Sequence, residues 1–129
     1  MRKEDENIHT AISDEETEKE LYFFHNRSAI NSLDPKRKDE AKETKKVLTR
    51  KLDTIIENSK FKKKKINFLT VDVEGHEYEV IKSLNLQKYS PEIILVEFIN
   101  EDARSTNFID QNFTTKKVTM KSIVSKFDI

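Results

Sequence analysis

The sequence predicts an α/β fold organised around a parallel βαβ core at residues 66–98, and three observations carry that prediction. Ile66 to Val73 is a nearly continuous apolar run, the pattern of a strand buried on both faces of a parallel sheet; it closes at Gly75, the single glycine of the chain. Beyond the glycine, Val80, Ile81 and Leu84 fall at helical spacing. Glu77 and Glu79 stand near the start of that segment and Lys82 and Lys88 near its end, as the helix dipole favours. Ser90-Pro91 then breaks the pattern, and Glu92 to Phe98 forms a second apolar strand behind a proline. Nineteen residues separate Asp72 from Glu92, enough for the crossover that joins two parallel strands.

The remaining elements follow along the chain. Residues 1–6 are charged and expected to be a disordered N-terminus, leaving 7–129 as one domain. Asn7 to Ser13 is expected as a short strand, the acidic "DEETEKE" as a loop, and Leu21 to Asn26 as an aromatic strand. From Arg27 to Lys45 the chain is polar and carries Asp34-Pro35, a turn signal, so a long mobile connection is expected. Lys46 to Thr49 reads as another strand, entering a short helix with Asp53 as its N-cap. Near the C-terminus "KKVTM" is expected as a strand and "KSIVSKF" as a helical turn or strand.

Composition narrows the function classes. Twenty-four basic and twenty-four acidic residues cancel, so no global field argues for nucleic acid or a membrane as partner. Charge is uneven, however: residues 1–20 hold eight acids against three bases, and residues 36–65 thirteen bases against five acids. The run Lys62 to Lys65 lacks interleaved aromatics and reads as a solvated loop. With no cysteine, disulfides, thiolate metal sites and a cysteine nucleophile are all excluded. "MRKEDENIHT" lacks the apolar core of a signal peptide, and no run approaches the roughly 20 apolar residues of a membrane span. A cytoplasmic location is expected.

The chemistry-bearing residues collect at one end of the βαβ unit. Ligands of open α/β sheets bind outside the carboxyl ends of the strands, which is where Asp72 and Glu97 stand, with Glu74, His76 and Glu77 in the turn between strand and helix. Such a group could bind a hydroxyl or amine, act as general base, or hold a hard cation through oxygen ligands. Glu74 and Glu77 equally suit a helix N-terminus, and Glu97 an exposed strand end. An unpaired carboxylate inside an apolar strand is costly, so Asp72 requires a structural or functional partner. "GHEYE" lacks the second histidine of a zinc-protease helix, and no serine lies in a nucleophile elbow; His9 and His25 are isolated.

The stretch "FLTVDVEGHEYEVIKSLNLQKYSPEIILVEF" resembles the signature of the FkbM-type S-adenosylmethionine-dependent methyltransferases, in which an apolar strand ending Asp-x-Glu-Gly leads into a helix and a second strand ends in Glu. "LTRKLDTII" and "NIHTAISDEETEKELYFFHNRSAINSL" resemble the family's upstream segments, extending the likeness over Asn7 to Phe98. The resemblance implies a Rossmann-like sheet, S-adenosylmethionine as cofactor, and methyl transfer to a hydroxyl-bearing small molecule or glycan. It places Asp72 beside methyl donor and acceptor, with Glu74 and Gly75 shaping that wall. Glu97 closes the next strand, His76 stands close by, and Ala11 borders the adenine. Asp72 is the first choice for orienting the acceptor or acting as general base, and Glu74 the second. The family's glycine-rich cofactor loop and its acid-ended second strand have no counterpart here. The expectation is therefore an incomplete C-terminal portion of the domain, inactive alone, its third-strand segment loosely held or repaired elsewhere, with a second chain completing the sheet. A non-catalytic remnant or interaction module is the alternative; a metal-dependent hydrolase using Asp72, Glu74, His76 and Glu97 is a weaker third.

Overall fold

A computed structural model describes residues 3–24, 30–97 and 103–112, together with the backbone of 118–121. Two three-stranded sheets make up the architecture. The first holds β1 (Ala11–Ile12), β2 (Glu18–Phe23) and β3 (Glu43–Arg50) in the order β1-β3-β2. β2 and β3 pair antiparallel over six positions, from Glu18↔Leu48 to Phe23↔Glu43, and β1 lies parallel to the end of β3 through Ala11↔Thr49 and Ile12↔Arg50. The segment expected to be loosely held or repaired elsewhere pairs with β3, although only two residues of the expected Asn7 to Ser13 strand are in extended pairing. β2 begins inside the acidic stretch expected as a loop, because Glu18, Lys19 and Glu20 find backbone partners in Leu48, Val47 and Lys46. His25 and Asn26, at the end of that expected strand, lie outside the described residues.

The second sheet is the βαβ core. β4 (Phe68–Val71) and β5 (Ile93–Glu97) are parallel, with Phe68 opposite Ile93 and Val71 opposite Val96. Between them run α2 (Glu77–Lys82) and α3 (Leu86–Tyr89). β6 (Val118–Lys121) adds a third parallel strand where "KKVTM" was expected, while 122–127 lie outside the described residues. α3 stops at Ser90, which takes a left-handed φ of 38° that L-residues adopt at a cost, and buried Pro91 prevents continuation.

One face of this sheet forms the core. Val71, Ile94 and Val96 pack with Val80, Ile81 and Leu84 around α2 and with Ile109 of α4 (Ala103–Asn112). On the opposite face, among the described residues, Phe68 is 54% exposed and its neighbour Ile93 44%, while Leu95 is half-buried. The expectation of a strand buried on both faces is therefore corrected, since β4 alternates between packed and exposed positions and pairs on one side only among the described residues. The N-cap of α1 (Leu52–Asn58) is Lys51, two residues earlier than the expected Asp53, and makes no side-chain cap. Asp53 instead accepts the N–H of Asn85 at 2.8 Å, tying α1 to the α2–α3 turn.

The connection expected to be mobile carries structure where it is described. Ser32 exchanges both backbone hydrogen bonds with Tyr22, and Pro35–Glu40 form a 3-10 helix capped by Asp34. Near the N-terminus, Lys60 donates from its backbone to the Glu6 carboxylate and from Nζ to the Asp5 carbonyl.

Candidate functional site

The site grows out of the turn that follows β4. Val71 ends the strand, and the chain passes through Asp72, Val73, Glu74 and Gly75 into α2. Glu74 has φ of 56° and Gly75 of 103°. A left-handed conformation costs an L-residue roughly 1–2 kcal/mol, so the Glu74 backbone persists only because its surroundings fix it. The Ser32 hydroxyl donates to the Glu74 carbonyl at 2.6 Å, and Arg37 Nη1 reaches the same oxygen at 3.4 Å and the Glu74 carboxylate at 3.9 Å. Glu77 accepts the Gly75 N–H at 2.8 Å. A Cβ on Gly75 would stand 3.0 Å from Asp34 Oδ2, so the close approach as well as the backbone angle calls for glycine.

This corner borders a cleft of about 690 Å³ between the two sheets. Ala11 and Ile12 line it from the first sheet, and Asp72, Glu74 and His76 from the second. Four of the five sequence-derived site residues therefore meet in one place. Glu97, the fifth, ends β5 half-buried and does not line this cleft, although its charge reaches Glu74. Asp72 is not the buried carboxylate expected: it follows the last strand residue and is exposed, so water supplies the solvation it was thought to lack.

Burial pushes the Glu74 carboxyl above its ordinary value, and the Asp72 charge adds to this; Arg37 opposes the rise and Glu97 reinforces it. Glu77 is also raised by burial, while backbone N–H groups, Gly75's among them, pull it back. That bond to Gly75 makes Glu77 a structural brace of the corner.

His76 is buried and stands at the N-cap of α2 without capping it through its side chain. Its Nε2 lies 3.0 Å from the Ser13 hydroxyl and its Nδ1 3.5 Å from the Glu79 carboxylate, so both ring nitrogens have protein partners. Burial holds its pKa below the ordinary imidazole value, against the attraction of Glu79. A second cavity of about 470 Å³ has Asp14, Lys19, Glu79 and Arg104 in its wall; Leu33 and His76 border both cavities.

Three residues of this arrangement, Ser13, Ser32 and Arg37, carried no sequence signal of their partners, although Ser13 and Ser32 lie within the segment that resembles the family. Their partners are 63, 42 and 37 positions away, and only the pairing of β1 with β3 and the return of the 3-10 helix bring them in. The hydrolase reading finds no donor set, because no group of three or more histidine or acidic side chains is placed to hold a metal ion among the described residues.

A small parallel sheet joined through helices, with Asp72 and Glu74 bordering a cleft beyond the carboxyl end of β4, is consistent with a partial Rossmann-like fold. The chain belongs to the methyltransferase FkbM domain family, whose model matches residues 2–121. No curated protein and no solved structure matches it.

Proposed function

We propose that this domain takes part in S-adenosylmethionine-dependent methyl transfer to a hydroxyl of a small molecule or glycan. The observation that carries the reading is the convergence of Ala11, Asp72 and Glu74 on one cleft within a domain of a methyltransferase family. Its volume suits a nucleoside-sized ligand, and apolar Ala11, Ile12, Val47 and Val73 beside two carboxylates fit an aromatic base carried with a cationic sulfonium. The donor would supply an electrophilic methyl group. Asp72, exposed at the strand end, is suited to accept a hydrogen bond from the acceptor hydroxyl and orient it. Glu74, its carboxylate made more basic by burial and by Asp72, is suited to take the proton as the methyl group is transferred. Ala11 would border the adenine.

The cleft lacks a glycine-rich cradle, since Gly75 is the sole glycine of residues 1–129 and belongs to the β4–α2 corner. β1 and β4 also stand at the ends of their sheets among the described residues. We infer that tight donor binding requires a further strand-bearing segment, in the same polypeptide or a second one, seated beside these edges. Calorimetric titration of the 129-residue chain with S-adenosylmethionine tests this: binding weaker than about 10 μM is expected, and low-micromolar binding would show that residues 1–129 hold the donor unaided. The second reading, an interaction module without catalysis, draws on the same edge and on exposed Phe68 and Ile93. It predicts a stable complex through β4 in which D72N and E74Q change nothing, whereas the methyltransferase reading predicts loss of methyl transfer from the same substitutions.

A further inference from the structure

We propose that Ser13 is a positioning residue for methyl transfer: its buried hydroxyl locks His76 in one tautomer and thereby sets the gap between the Ala11 wall and the Glu74 wall of the cleft. The proposal rests on the methyl-transfer reading for its purpose and on geometry for its substance. Ser13 exposes no surface and lies two residues beyond Ala11; His76 is 5% exposed and lies two residues beyond Glu74. Their 3.0 Å hydrogen bond therefore ties the opposite walls of the cleft at equal distances behind the two residues that face the ligand. Among the described residues, Ser13–His76 is the side-chain bond between the two halves in which both partners are buried; Ser32 to Glu74 and Lys82 to Asp14 each include a less buried partner.

The tautomer follows from the neighbours. Glu79 presents only acceptor oxygens to Nδ1, 3.5 Å away, which favours the proton on that nitrogen. Nε2 is then an acceptor and Ser13 donates to it. Asp14 Oδ1, 3.2 Å from the same hydroxyl, is the competing acceptor. Protonation of the ring would turn Nε2 into a donor, swing the Ser13 hydrogen to Asp14, and put a cation in the wall shared by both cavities. A neutral ring is the form compatible with a sulfonium donor in the cleft. The charged groups facing the ring are Glu79 on α2, Asp14 from the β1–β2 corner, Lys19 of β2, and Asp34 ahead of the 3-10 helix, with Arg104 of α4 beside Glu79.

The sole glycine makes the test direct. A chain labelled with ¹⁵N-glycine gives one amide cross-peak, that of Gly75, at the corner next to His76. In the wild type, long-range imidazole spectra should show His76 with the proton on Nδ1. The carbon-bound ring protons of His76 should titrate with a midpoint below 6.5, the ordinary imidazole value; the Gly75 peak, bonded to Glu77 and next to Glu74, also follows those carboxyls, so the part of its pH response that H76Q removes is the part that belongs to His76. S13A should move the Gly75 peak by more than its linewidth, and S13T, which keeps the hydroxyl, should restore it. Should S13A fail to fold, S13C keeps the volume with a weak donor and takes its place. An Nε2–H tautomer, titration of His76 at its ordinary value, or a Gly75 peak unmoved by loss of the hydroxyl would each overturn the proposal. No methyl donor enters these spectra, so a failed donor titration counts against the methyl-transfer reading alone, and an unmoved Gly75 peak against the latch alone.

Discussion

Two adjacent residues, Glu74 and Gly75, concentrate the conformational demands of the cleft. Gly75 combines φ of 103° with an Asp34 oxygen 3.0 Å from where a Cβ would stand, and Asp34 is itself held by capping Lys36. G75A should therefore lower stability by about 1–3 kcal/mol, seen as a fall of several degrees in the thermal midpoint. Glu74 makes a different prediction, because its carboxyl titrates above the ordinary 4.5 through burial and the nearby Asp72 charge. Below pH 4.5 the folded and unfolded chains both carry the proton, and the residue costs nothing. As pH rises through the window above 4.5 the unfolded chain releases its proton first, and ionising the folded one becomes a penalty. E74Q should thus be more stable than the wild type at pH 7 and lose that advantage as pH falls towards 4.5, measured by denaturant titration at several pH values. Equal stability at pH 7 would mean that Arg37 fully offsets the burial.

Strand β4 shows how far periodicity carries and where it stops. Its existence, its parallel pairing with β5 and a helical crossover between them follow from an apolar run, a glycine, a 3.6-residue period and a proline, although the single helix expected to run towards Lys88 is divided into α2 and α3. Its one-sided burial does not, because an apolar run of this length looks the same whether one face or both are covered, and coverage is decided by what packs from elsewhere in the chain. The same limit applies to the site. Asp72, Glu74, Gly75 and His76 are contiguous and legible as a motif. Ser13, Ser32 and Arg37 are ordinary residues in polar stretches until tertiary structure delivers them. The asymmetry of the sheet is testable by paired substitutions: I94A, at a side chain with no exposed surface, should cost about 2–5 kcal/mol, whereas F68A should cost under about 1 kcal/mol, the value of its cross-strand contact with Ile93. A large loss in F68A would mean that the outer face is covered after all.

Across the whole molecule, the two sheets meet at the cleft through a handful of side-chain bonds and do not share a strand. That arrangement leaves β4 as an edge of the parallel sheet and β5 as its centre, and amide hydrogen exchange can distinguish the two. β5 is bonded on both sides, to β4 and to β6, so its amides should exchange slowly as a continuous block. In β4 only those amides directed at β5 should be protected, giving an alternation along Phe68–Val71 that reflects the two-residue period of the strand. Parallel sheets are found almost entirely with both faces covered, and free edges invite pairing, so the further strand-bearing segment proposed above should protect the outward amides of β4 when it binds. It should also improve S-adenosylmethionine affinity in the same titration. Protection of every β4 amide in the isolated chain would show that the edge is already closed, and the inference that a further strand completes the cleft would fall.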